Sequence, residues 1–160
     1  FDIIKAISGD KTSTESLLYD PTDVDFRALL LMDMRRNNTL NLLQAVVTRA
    51  SKLATKSSIS SDEINVEICV DKSLFEKNSE MQMFNVLQEL KPLAIYGDRI
   101  KYKLLAEGLV SSAEILSNFF DGEGSVMVMT DDINLRNNRL NLLTILRNQS
   151  FIIADFSKLS

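Results

Sequence analysis

The sequence predicts an all-α fold, a helical bundle around one core. Apolar residues recur at three- and four-residue intervals through most of the chain, the period of a helix with one buried face. The 160 residues include only 5 Gly and 2 Pro, too few turn residues for an all-β design and few enough breakers for long helices. The composition is 45% hydrophobic and 25% charged, ordinary for one soluble domain large enough to bury a core.

The elements follow in order. Asp2 to Ile7 reads as the end of a helix closed by Gly9, and Ser13, Thr14 and Glu15 can start a short helix through Leu18. Asp20-Pro21 is a turn, after which Thr22 or Asp23 can cap. Val24 to about Lys56 favours helix, with a break near Asn37-Asn38, and its buried face runs Leu29, Leu30, Leu40, Leu43, Val46, Val47, Ala50, Leu53. Ser57 to Asp62 is a serine-rich loop. Ile64, Val66, Ile68 and Val70 alternate with polar residues, a strand template that is too short and too solitary to stand alone; an extended connector is expected. Ser79 to Leu90 is helical, with Met81, Phe84, Leu87 and Leu90 inward. Asp98 to Phe119 is a further helix, Asp121 to Gly124 a turn, and Asp131 or Asp132 caps a long final helix. Arg36-Asn37-Asn38-Thr39-Leu40-Asn41-Leu42-Leu43 is echoed one hundred residues later by Arg136-Asn137-Asn138-Arg139-Leu140-Asn141-Leu142-Leu143. One echo is no solenoid, and coincidence is the favoured explanation.

The chemistry is sparse. There is no histidine, which removes the commonest general base and metal ligand, and Cys69 is alone, so neither an intrachain disulfide nor a cysteine-histidine zinc site can form. A reducing compartment is expected. Gly122-Glu123-Gly124 lacks the rest of a phosphate loop. No apolar run approaches a membrane span and no signal peptide is visible. Phe1 stands where an initiator Met would be, so the chain is expected to be part of something longer.

Charge is segregated within a net of −4. From Val24 to Lys56, Arg27, Arg35, Arg36, Arg49, Lys52 and Lys56 face only Asp25 and Asp33. From Ile133 onward Arg136, Arg139, Arg147 and Lys158 face only Asp155, whereas Asp62 to Glu80 is acidic. Arg136, Arg139, Leu143 and Arg147 follow at three- and four-residue steps and predict one stripe, beside a core stripe of Leu135, Leu142 and Leu146. Guanidinium groups suit phosphate or an unpaired base. The candidate nucleic-acid-binding residues are Arg35, Arg36, Asn37, Arg49, Arg136, Asn137 and Arg139, with Asn38 and Asn138 as further amides. No catalytic or metal-ligating residue is a candidate.

The run Ser125-Val126-Met127-Val128-Met129-Thr130-Asp131-Asp132, the helix Leu135-Arg136-Asn137-Asn138-Arg139-Leu140 and the ending Ala154-Asp155-Phe156-Ser157-Lys158-Leu159 closely resemble the C-terminal end of bacterial glycyl-tRNA synthetase beta subunits. The segments Leu42 to Ala54, Val70 to Glu76 and Ala106 to Phe120 are also similar, and Tyr19 to Asn37 looks most like the cyanobacterial branch. The family's Asp-Ala-Leu-Arg signature here reads Ile133-Asn134-Leu135-Arg136, with Asp132 one place displaced. The resemblance implies an anticodon-binding domain of the class I arginyl/glycyl-beta type over residues 21–160, preceded over 1–20 by the end of another helical region. It implies docking on the anticodon arm of tRNA-Gly within a cytoplasmic glycine–tRNA ligase, assembled with an alpha subunit as a heterotetramer. ATP and magnesium then serve the parent enzyme, with no cofactor in this segment and no catalysis by it. The rivals are a helical module for subunit assembly and the related domain of arginyl-tRNA synthetases, which usually end differently.

Overall fold

A computed structural model describes residues 2–8 and 20–160. Among these residues all regular structure is helical: α1 (Asp2–Ser8), α2 (Pro21–Arg36), α3 (Leu40–Ala54), α4 (Val66–Cys69), α5 (Asn78–Ala94), α6 (Ile100–Ser111), α7 (Ala113–Asn118) and α8 (Ile133–Phe151), with 3-10 turns at Lys72–Leu74 and Phe156–Lys158. The short helix expected through Leu18 and the stop at Gly9 lie outside the described residues.

The helix ends follow from local chemistry. The Asp20 carboxylate accepts from the Asp23 N–H at 3.0 Å, and Pro21 is the first helical residue of α2. Asp20 itself, not Thr22 or Asp23, is therefore the cap; proline fits there because its missing N–H would be unpaired anyway. The break at Asn37-Asn38 is real: Asn38 sits at φ 57°, a left-handed turn that asparagine tolerates better than most residues. Asp132 caps α8, accepting from the Asn134 and Leu135 N–H groups at 2.9 and 3.1 Å.

α3 is strongly two-faced. Leu40, Leu43, Val46, Val47, Ala50 and Ala54 are buried, and they pack against α8. The two run antiparallel: Gln44 near the start of α3 donates to the Leu159 carbonyl at 2.7 Å, while Ser57 just beyond its end donates to Asn141 at 3.4 Å. α1 closes the far end, where the Asp155 N–H donates to the Ala6 carbonyl at 2.7 Å and Arg27 of α2 reaches the carbonyls of Ile7 and Ile153.

Two expectations are corrected. The helix expected over Asp98 to Phe119 is two helices that meet at Ser112. The connector Ile64 to Val70 is not extended throughout; Val66 to Cys69 forms one helical turn capped by Asn65. Its hydrogen-bonding groups are met by side-chain amides of α8 instead of a sheet. Asn138 exchanges bonds with the N–H and carbonyl of Asp71 at 2.8 and 2.9 Å. Asn141 donates to Cys69 at 2.7 Å, Asn148 to Ser60 and Glu63 at 2.9 and 2.7 Å, and Gln149 to Ile64 and Leu87 at 3.0 and 2.9 Å. Buried backbone groups must be paired somewhere, and this amide ladder satisfies the segment without a strand.

Candidate nucleic-acid interface

The predicted basic residues do not converge. Because α8 is the central helix, it is buried around most of its circumference, and the expected stripe turns inward. Leu143 is fully buried and Arg139 is only 4% exposed. The Arg139 guanidinium is engaged through all three nitrogens: Nε donates to Glu80 at 2.9 Å, Nη2 to Glu76 at 2.8 Å and Nη1 to the Met127 carbonyl at 3.0 Å. Burial pulls against its charge, but the bonds it donates to Glu80 and Glu76 outweigh that and hold the group above its ordinary range. Glu80, 0% exposed, turns its second oxygen to the N–H groups of Glu76 and Lys77 at 2.8 and 2.9 Å, closing the first turn of α5. Arg139 is thus a buried brace and leaves the set of surface candidates. Arg147 is half-buried against Phe151 and bonded to Asn148, with burial drawing its pKa down.

The remaining candidates divide between two ends of the molecule. At one end, Arg35 is tied to Asp2, whose carboxyl this pairing holds well below the usual carboxylate range. Arg36 stands beside it, 76% exposed, with only a loose 3.7 Å contact to Asp33; Asn37 is exposed and follows it into the α2–α3 corner. At the other end, Arg136 is half-buried and donates to the Thr130 carbonyl at 3.4 Å, Asn137 is exposed, and Asn138 belongs to the internal ladder. Arg49 lies on α3, bonded to both oxygens of Asp121 at 2.9 and 2.8 Å and stacked 4.6 Å from the Phe120 ring centre.

What joins the two ends is the outer face of α3. Asn41, Leu42, Ala45, Arg49 and Lys52 are exposed along it, and Lys56 continues the line. No acidic residue lies between Thr39 and Ser61. Lys52 and Lys56 form no ion pair with any described residue. Helical rise makes this face about 20 Å long. Arg36 and Asn37 begin it, Arg49 is its half-engaged middle, and Lys52 and Lys56 are its free charges. The two lysines were absent from the candidate residues although their four-residue spacing and the missing acids were legible in the sequence; Glu80 as partner to Arg139 carried no sequence signal.

No family model matches the chain. It is 39% identical over 159 residues to the glycine–tRNA ligase beta subunit of Gloeothece citriformis and 38% identical over 158 residues to that of Acaryochloris marina, in each case over 98% of this chain and 22% of the relative. The similarity extends to Haemophilus influenzae, whose glycine–tRNA ligase beta subunit is 28% identical over 99% of this chain and 21% of its own length. The chain thus spans about a fifth of the length of the curated relatives it matches. The match holds from one end of the chain to the other, and the chain belongs to the glycine–tRNA ligase beta subunit family.

Proposed function

We propose that residues 21–160 are an RNA-recognition domain that docks on the anticodon arm of tRNA-Gly as part of a cytoplasmic glycine–tRNA ligase. The observation that carries this reading is the outer face of α3, which has no acid of its own, with Arg36 and Asn37 at its start and Arg49, paired with Asp121, then the unpaired Lys52 and Lys56 along it. A rigid helix bearing unpaired cations suits a phosphate backbone, and the exposed amides of Asn37 and Asn41 suit the edges of bases in an unpaired loop. α1 is docked on this unit. The relatives' name, beta subunit, supports an alpha-subunit partner; a heterotetramer with it is part of the proposal. In this reading glycine activation, with its ATP and magnesium, is assigned to other parts of the enzyme; among the described residues no three His, Cys, Asp or Glu side chains cluster. Among the described residues no helix is long and apolar enough to cross a membrane.

The test is titration of a tRNA-Gly transcript at several salt concentrations. Replacing Lys52 and Lys56 together with Ala should lower the log–log salt slope by about 1.4–1.8, at roughly 0.7–0.9 per phosphate contact. An unchanged slope and affinity would reject the α3 face as the RNA surface.

A further inference from the structure

The segment between α7 and α8 is a fixed arch. The Val126 N–H donates to the Phe119 carbonyl at 3.0 Å, Arg139 clamps the Met127 carbonyl at 3.0 Å and Arg136 reaches that of Thr130 at 3.4 Å. Val128 is buried, and the alternation turns its neighbours out: Met127 is 73% exposed, Met129 44%, and Ile133 at the start of α8 53%. A buried arginine bonded through all three guanidinium nitrogens thus holds in place an edge that offers apolar side chains to solvent. Methionines on a rigid frame adapt to a partner's surface, and a clustered apolar edge marks a contact site more than a lone exposed residue does.

The charge around this edge is the reverse of the α3 face. From Phe119 to Leu135 there is no lysine or arginine, against Asp121, Glu123, Asp131 and Asp132. Asp121 is engaged by Arg49 and Asp132 caps α8, but Glu123 and Asp131 are exposed and form no ion pair among the described residues. Across the fold, Lys77 donates to the Glu123 carbonyl and Arg136 to that of Thr130, each at 3.4 Å, but the carboxylates outnumber these cations and disfavour phosphate. A polypeptide segment with apolar side chains flanked by Lys or Arg would be complementary in both respects.

We propose that the Met127–Met129–Ile133 edge docks a second polypeptide through such a segment. Resting on the function proposed above, that polypeptide is the alpha subunit. RNA and protein would then occupy separate surfaces of one domain, the basic face of α3 and the acidic apolar edge.

The experiment uses the full chain and the purified alpha subunit, with binding measured by calorimetry at low and raised salt and a parallel titration of tRNA-Gly. The variants are Met127→Ser with Met129→Ser, and Glu123→Lys with Asp131→Lys; all four positions are exposed or nearly half-exposed, and melting curves confirm folding. Each pair should weaken alpha-subunit binding about tenfold or more, as expected for anchor residues. Raised salt should weaken the parent's binding but have less effect on the charge-reversed variant. The methionine variant should retain the parent's tRNA affinity. Equal alpha-subunit affinity for parent and variants would overturn the edge while leaving an alpha partner in place. No binding of the alpha subunit by the parent would overturn both the edge and that partner, with the tRNA titration still reporting independently on Lys52 and Lys56. Loss of tRNA affinity in the methionine variant would overturn the proposal by assigning the edge to RNA.

Discussion

Replacing Arg139 with Ala is the perturbation whose cost the structure sets most sharply. The substitution removes three hydrogen bonds, to Glu80, Glu76 and the Met127 carbonyl. Glu76 is well exposed and recovers water; Glu80 is 0% exposed and does not. Breaking a buried pair by deleting one partner costs about 3–5 kcal/mol, because the remaining charge is left without compensation. The two N–H bonds that Glu80 keeps from α5 place the expectation at the lower end, about 3 kcal/mol. At roughly 2–4 °C per kcal/mol for a chain of this size, the melting temperature should fall by about 6–12 °C. Urea titration gives the free energy directly, and Glu80→Gln, alone and combined with Arg139→Ala, closes a mutant cycle that isolates the coupling. By contrast Arg36→Ala, which removes only an exposed 3.7 Å contact, should stay within about 0.5 kcal/mol. An Arg139→Ala protein that melts within a degree or two of the parent would refute the brace. Normal stability with lost tRNA affinity would return Arg139 to the RNA surface.

Further outcomes follow from the same geometry. Asn148→Leu removes donors from the Ser60 and Glu63 carbonyls; it should cost about 1–3 kcal/mol and open the 57–71 segment to limited proteolysis, and an unchanged cleavage pattern would count against the amide ladder. Asp132→Ala should cost about 1 kcal/mol through loss of the α8 cap, measured by urea unfolding. Acid should destabilise the fold through Asp2, Asp20 and Asp71, each held below its ordinary value of 3.8: Asp2 chiefly by Arg35, Asp20 by the Asp23 N–H, and Asp71 by the Ser73 hydroxyl. A depressed native pKa gives stability that is complete above the unfolded value and lost as pH falls through the native one. The melting temperature should therefore hold down to about pH 5 and decline below about pH 4, with Asp2→Asn flattening part of that decline; a curve flat to pH 3 would refute it.

The sequence by itself determined the helical class, the break at Asn37-Asn38, an aspartate cap at Asp131 or Asp132, and the family. These are local facts: helical spacing, an asparagine that accepts φ 57°, an aspartate one residue before a helix, and residue-by-residue likeness. Position in the bundle could not be read the same way. Arg139 and Arg136 are three residues apart on one helix, yet one is a buried brace and the other half-exposed, because an acidic helix start and a loop carbonyl from elsewhere in the chain converge on Arg139. The Ile64 to Val70 pattern has the period of a strand, but α8 supplied amides in place of a neighbouring strand and the backbone closed into a helical turn. The basic face of α3 was written in the sequence as a missing acid. That Lys52 and Lys56 stay unpaired while Arg35, Arg49 and Arg139 find carboxylates was decided only when Asp2, Asp121, Glu76 and Glu80 were brought across the fold, since an ion pair depends on distance in space and sequence spacing fixes that only within one helix.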